Sequence, residues 1–209
     1  MKLPCVKPRY LQVYFYLLHS MVHWQEREDA ISEIIEKLPI NTRVESLRII
    51  DVGCGPCPLV DMAIKKGFSY IGIDTDQNSI DYCCQKHHDE KRVSFTTSTI
   101  PSPEIAIRSN DIVVLNGVMH HLDDKTVKEL LSHLSQARFV IIADHYLDKT
   151  VGSWPKFLQK LDRGKYVRDY SFFKSIDGYR LVQSMVFPIK IFSFIFWMYF
   201  CAAYASEAK

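Results

Sequence analysis

The chain has 209 residues, 47% of them hydrophobic, and its 26 Lys plus Arg stand against 24 Asp plus Glu for a formal net charge of +2. Such a chain buries a sizeable core, which excludes intrinsic disorder and a strongly basic nucleic-acid arm, so a partner has to be recognised locally. Its six cysteines, at 5, 54, 57, 83, 84 and 201, lack the dense spacing of a secreted disulfide scaffold and fit a reducing cytoplasm.

Lys2, Lys7 and Arg9 precede an apolar stretch from Leu11 to Val22, but Pro4, Pro8, Gln12 and His19 interrupt it and no small-residue cleavage site follows, so no signal peptide is expected. Tyr10 to His23 has helical spacing and a second helix runs from about Arg27 to Leu38. Leu47 to Val52 then reads as a strand, followed by a turn holding Gly53, Gly55, Pro56 and Pro58 and a helix to Lys66 that Gly67 closes. Tyr70 to Ile73 is the second strand, Asp76 caps a helix through Gln85, Val93 to Thr97 is the third strand and Asp111 to Leu115 the fourth. Val127, Leu130, Leu131 and Leu134 give one helix face before a fifth strand, Phe139 to Ala143. The connection from Asp144 to about Met185 is long enough to suggest a functional segment. Val186 to Ala205 is almost wholly apolar over 20 residues, but Pro188, Lys190 and Ser193 fall inside it, so an antiparallel hairpin of Phe187 to Phe194 and Trp197 to Tyr204 is preferred to a membrane span.

With no repeat or linker, the pattern predicts a single domain over 1–209: an α/β, doubly wound Rossmann-like sheet, mostly parallel with an antiparallel C-terminal hairpin, and helices on both faces. Residues 1–40 are expected to form a helical lid and 145–186 an inserted segment over the substrate side. In such a sheet, ligands bind at the carboxyl ends of the strands. There the chain places Asp51-Val52-Gly53-Cys54-Gly55-Pro56-Cys57, whose glycines let backbone N–H groups approach a ligand; Asp74, 19 residues beyond Gly55, which suits a carboxylate gripping ribose hydroxyls; and Asn116-Gly117-Val118-Met119-His120-His121-Leu122.

These strand ends, from about Tyr10 onward, resemble the class I S-adenosylmethionine-dependent methyltransferases. The resemblance implies that Asp51 lies near the methionine amino group, that Gly53, Cys54 and Gly55 hold the amino-acid moiety, and that Asp74 grips the ribose with Thr75 beside it. Ser98, Thr99 and Asn116 complete the expected cofactor site for S-adenosylmethionine. The Asn116 to Leu122 stretch and Leu161 to Arg168 look like the small bacterial, small-molecule branch, which implies in-line methyl transfer to a small acceptor. Two positions depart from the family pattern: Cys57 stands at the third glycine of the turn, and Ser98 or Thr99 replaces the acid that commonly reads the adenine.

Methyl transfer needs no nucleophilic residue, but a hydroxyl or amine acceptor calls for a base, and His121, His120 and His145 are the available groups. His120 and His121 cannot both point at one substrate. Tyr14, Phe15, Tyr146, Trp154, Tyr166 and Phe173 would exclude water, or simply complete the core. Arg163 and Arg168 would hold an acidic acceptor or brace the fold. No Asn-Pro-Pro-Tyr sequence ends strand four, so nucleic acid is an unlikely substrate. Three rival readings fit parts of the sequence. Cys54-Gly55-Pro56-Cys57 is the dithiol sequence of thioredoxin-like oxidoreductases, but Gly53 stands where those have an aromatic residue. Cys54, Cys57, Cys83 and Cys84, or His19 and His23, could count as metal ligands, but adjacent cysteines chelate poorly and the histidines lack a third partner, so no metal is expected. Cys57 and Thr99 also suit a relative that binds cofactor or a partner without turnover.

Overall fold

The computed structural model describes residues 24–40, 43, 46–100, 105–147, 165–191 and 194–207. The first described helix, α1 (Trp24–Glu36), leads to β1 (Arg48–Val52), α2 (Val60–Lys65), β2 (Ser69–Asp74), α3 (Gln77–Lys86), β3 (Val93–Thr97) and β4 (Asp111–Asn116). A 3-10 turn (Met119–His121) then precedes α4 (Asp124–Leu134), β5 (Phe139–Tyr146), α5 (Tyr170–Lys174), β6 (Tyr179–Ile191) and β7 (Phe194–Ser206). The strands form one seven-stranded sheet in the order β3-β2-β1-β4-β5-β7-β6. The first five are parallel, and β7 runs antiparallel to both β5 and β6. The alternating strands and helices predicted from the sequence are therefore present, as is the closing hairpin.

Side chains alternate across the strands and feed two cores. Val113, Leu115 and Ile142 pack with Leu130, Leu131 and Leu134 of α4 on one face, while Ile49, Ile112, Val114 and Ile141 meet Ile31 and Ile34 of α1 and Val60 and Ala63 of α2 on the other. At 1.5–3 kcal/mol for each fully buried aliphatic side chain, these two layers are the dominant stabilising term, by order of magnitude. The helix starts are set by short acids: Asp76 accepts from the Asn78 and Ser79 N–H groups at α3, and Asp123 accepts from the Thr126 N–H at 2.7 Å at α4.

Several boundaries differ from expectation, that of β6 the most. β6 begins at Tyr179, eight residues before the predicted Phe187, and β5 runs on to Tyr146, past the predicted Ala143, so the long connection after β5 is shortened at both ends. Arg180, Gln183 and Ser184 hid the strand because β6 is the sheet edge, where one side needs no apolar partner, and a bulge between Leu181 and Gln183 breaks the alternation. Of the Val186 to Ala205 stretch, residues 186–191 lie in β6 and 194–205 in β7, and among the described residues no helix is long and apolar enough to cross a membrane. The proposed lid helix before Trp24, and Trp154, lie outside the described residues.

Candidate active site

β1 and β4 are neighbours whose helices leave to opposite sides, so the loops that follow them meet at the switch point of the sheet. They meet closely. A Cβ on Gly53 would lie 2.7 Å from Val118 Cγ2, so only glycine, here at φ 71°, lets the two loops touch. The turn after β1 spends its N–H groups internally: Gly53 and Cys54 donate to the Ile73 carbonyl at 2.7 and 3.0 Å, Gly55 donates to Asp74 Oδ2 at 2.8 Å, and Cys57 donates to the Cys54 carbonyl at 2.9 Å. The expected row of ligand-facing donors is thus a self-locked turn held against the end of β2. Cys57 adopts φ 54°, the left-handed conformation natural to the glycine it replaces.

Asp74 stands at the rim with both oxygens oriented, Oδ1 accepting from the Asp76 N–H at 2.9 Å. Thr75 is exposed beside it, and the Ser98 N–H donates to the Asp74 carbonyl at 3.0 Å, which ties the end of β3, with Ser98 and Thr99, to the same rim. Asp51 lies deeper, 1% exposed; Tyr70 OH donates to its Oδ2 at 2.7 Å and its Oδ1 has no hydrogen-bond partner among the described residues. Burial pushes the Asp51 carboxyl up to about 7 against the opposing Tyr70 hydrogen bond, with Asp74 adding to the rise. Asn116 Oδ1, at the end of β4, is likewise buried without a partner among the described residues. Two orphaned acceptors flanking the switch point match the amino end of S-adenosylmethionine, whose ammonium would satisfy them.

Beside these, at the ends of β4 and β5, lies a second cluster. Asp144 is 0% exposed. Its Oδ1 accepts from His120 Nδ1 at 2.7 Å and from the His145 N–H at 2.8 Å and lies 3.3 Å from His145 Nδ1, while Oδ2 accepts from the His120 N–H at 3.2 Å. Burial alone would raise the Asp144 carboxyl, but the hydrogen bonds and charges of His120 and His145 outweigh it and hold it well below the usual carboxylate range. His120 is buried and His121 exposed, with ring centroids 4.0 Å apart, so the two histidines divide as expected. His120, Asp144 and His145 offer ligand atoms within 4.8 Å of one another, a set able to hold a metal ion; with Nδ1 of both imidazoles turned to the carboxylate, they form a hydrogen-bonded relay.

Arg168 fixes the loop that carries His120. Its guanidinium donates to the Met119 carbonyl at 2.6 Å, the Leu122 carbonyl at 2.8 Å and Asp124 Oδ1 at 2.7 Å, and the Tyr166 N–H donates to the His120 carbonyl at 3.0 Å. It is thus a brace. Arg163 lies outside the described residues. Tyr146 and Phe173 are buried in the core, whereas Tyr166 is exposed. Sequence reasoning passed over Arg27, which sits in the charged run Gln25 to Asp29 that reads as a solvated helix face, yet is buried over the Tyr199 ring. Only the apolar spacing of α1, which turns Arg27 inward with Ile31 and Ile34, could have signalled it.

The dithiol and zinc readings find no support in this geometry. Cys54 and Cys57 are 3% and 1% exposed. Although hydrogen bonding with Cys83 favours its thiolate, the Cys54 thiol is held above its ordinary value by burial and by Asp51 and Asp74, the opposite of a reactive cysteine. Cys83 is buried and Cys84 exposed on α3, so the four thiols do not converge. A groove of about 560 Å³ between α4 and the start of β6 is lined by none of the candidate residues.

Residues 50–137 match a family model described as a methyltransferase domain. Over 178 residues the chain is 25% identical to the ubiquinone biosynthesis O-methyltransferase of Rickettsia conorii (strain ATCC VR-613 / Malish 7), a match covering 78% of this chain and 61% of that protein. The chain therefore spans about three fifths of the length of this relative. In fold it resembles magnesium protoporphyrin IX methyltransferase (ChlM) from Synechocystis PCC 6803, solved with bound SAH, at a TM-score of 0.66 and 17% identity over 88% of this chain and 84% of that one. It also resembles a SAM-dependent methyltransferase from Methanosarcina mazei, at a TM-score of 0.59 and 14% identity over 76% of this chain and 92% of that one.

Proposed function

We propose that the chain is a class I S-adenosylmethionine-dependent methyltransferase and that it methylates a hydroxyl or amine of a small molecule, with His120 as the base. The observation that carries the reading is the fully buried Asp144 carboxylate holding His120 Nδ1 at 2.7 Å beside the switch point. Bound S-adenosylmethionine supplies an electrophilic methyl group on its sulfonium. Asp51, Asp74, Thr75, Ser98, Thr99, Asn116 and the turn of Gly53, Cys54 and Gly55 would hold it, the ammonium of its amino end meeting Asp51 Oδ1 and Asn116 Oδ1. With Nδ1–H committed to Asp144, His120 carries its basic lone pair on Nε2 and takes the acceptor proton there as the acceptor oxygen or nitrogen gains the methyl. Asp144 stabilises the imidazolium so formed without itself changing protonation. His145 shares the carboxylate and is the alternative base, and His121 is exposed at the mouth of the site.

The balanced charge favours a small molecule over nucleic acid and, with the cysteine pattern, a cytoplasmic setting. The segment before α1 and the connection between β5 and β6, shorter at both ends than the expected 145–186, would cover the acceptor within a single domain over 1–209. A transfer screen tests this: phenolic, alcoholic and amine acceptors are incubated alongside duplex DNA and RNA. Turnover confined to small molecules, falling by about 100-fold in H120Q, which matches the usual contribution of a general base, is the expected result. Transfer to nucleic acid, or an unaltered rate in H120Q, would refute it.

A further inference from the structure

The C-terminal hairpin reaches past the rest of the sheet at the edge that carries the site. β5 ends at Tyr146, which pairs with Met198, yet β7 starts four residues earlier, at Phe194. β6 accompanies it through the pairs Ile189–Trp197, Lys190–Ile195 and Ile191–Phe194. At about 3.3 Å per residue, this two-stranded tip projects roughly 13 Å beyond the carboxyl end of β5. The pair next to it on the inside is His145–Tyr199, so the tip rises beside the His120–Asp144 cluster.

The tip has the composition of a membrane interface. The sequence from Val186 to Met198 includes Phe187, Phe194, Phe196 and Trp197, with Lys190 as its single charged residue. Aromatic residues beside a lysine settle at headgroup level, the rings at the acyl boundary and the ammonium among the phosphates. The same end of the sheet carries the large apolar side chains that stay exposed among the described residues. These are Leu147, directly after β5, at 44%; Tyr166, whose N–H donates to the His120 carbonyl, at 43%; and Val186, level with Asp144 across β7, at 40%. Lys165 is exposed beside Tyr166, and Asp169 is exposed at its bridge to Leu147. An overhang of four residues falls short of the about 9–11 that a spanning strand needs, and two strands leave outer edges that hydrocarbon cannot satisfy. It matches instead a shallow seat about 5–10 Å deep at the headgroup boundary.

We infer that the tip of the β6–β7 hairpin docks this protein on an anionic lipid surface, with the carboxyl edge of the sheet turned toward the headgroups. That this edge is the one that receives the acceptor rests on the methyltransferase reading; the lipid contact itself does not.

Flotation of the full chain with vesicles tests this, using phosphatidylcholine alone and phosphatidylcholine with about one third phosphatidylglycerol. Wild type is expected to float with the mixed vesicles and to partition several-fold less onto the neutral ones. Partitioning onto the mixed vesicles should fall at least about tenfold in F194D and about fivefold in K190E, with S-adenosylhomocysteine affinity equal in all three by calorimetry. Wild type left in the aqueous fraction, equal partitioning onto both vesicles, or an unchanged value in F194D would overturn the docking. Should F194D fail to fold, K190E decides, and unchanged partitioning there overturns it. Failure of S-adenosylhomocysteine to bind wild type would count against the methyltransferase reading, while flotation of the cofactor-free protein would still decide the lipid contact.

Discussion

Asp51 and Asp144 are both buried carboxyls at strand ends, and their surroundings push them in opposite directions. Asp51 is pushed up to about 7 by burial, so the folded protein keeps its proton well above the value of 3.8 natural to an exposed aspartate. A raised native value means stability that is complete below pH 4 and lost as pH rises through 7. D51N should therefore flatten the fall in stability between about pH 4 and 7 in urea unfolding of the cofactor-free protein, and should weaken cofactor binding by removing the charge that meets the ammonium. Glu28, also pushed up to about 7 by burial, leaves a residual slope in the same window. Asp144 acts below it: lowered in the fold, its contribution is present above the unfolded value and fades as pH falls. Gly117 tests the backbone at this scale. At φ 70°, with Arg27 Nη1 3.1 Å from the position of a Cβ, G117A should cost about 1–3 kcal/mol by thermal or urea unfolding.

At the scale of elements, the loop between β4 and α4 is held in place by one side chain from a distant part of the chain. Arg168 joins the carbonyls of Met119 and Leu122 to Asp124 and stacks its guanidinium carbon 4.8 Å over the Phe172 ring. Lysine has one point charge and no planar fork, so R168K should lose about 2–4 kcal/mol of stability and, by loosening the His120 loop, lower kcat more than it raises KM. Stability equal to wild type would show that the loop holds itself. A solvated or bracing role was the preferred reading of Arg168, but its partners were not legible, because an arginine 46 residues from Leu122 gives no spacing signal for what it reaches. β1, β4 and β5 were legible because each is a short apolar run buried on almost every residue, whereas β3, an edge strand with no fully buried residue, was legible from its β-branched and aromatic residues Val93, Phe95, Thr96 and Thr97. β6 was half legible, since an edge strand obeys weaker patterning than a central one.

For the whole molecule, the order β3-β2-β1-β4-β5 decides where chemistry happens, because it puts Asp74, the Gly53 turn, Asn116 and Asp144 in one row at the carboxyl edge. Asp51, Asp74 and the paired histidines could be named from motif spacing, which the sheet geometry translates directly into neighbourhood. Arg27 and the role of Asp144 could not, because their contacts join α1, β4, β5 and β7, elements far apart in sequence that meet only through the antiparallel closure of the sheet. The row also sets a division of labour: cofactor over β3, β2 and β1, acceptor over β4, β5 and β7. D74N should therefore weaken S-adenosylhomocysteine binding by about tenfold or more, losing the charge that orients Gly55 and the ribose, while H120Q should leave that affinity unchanged. Isothermal calorimetry of wild type, D74N and H120Q with S-adenosylhomocysteine tests this division most directly. Saturable one-to-one binding, weakened in D74N and unaltered in H120Q, is the predicted result; no binding to wild type, or equal affinity in D74N, would contradict it.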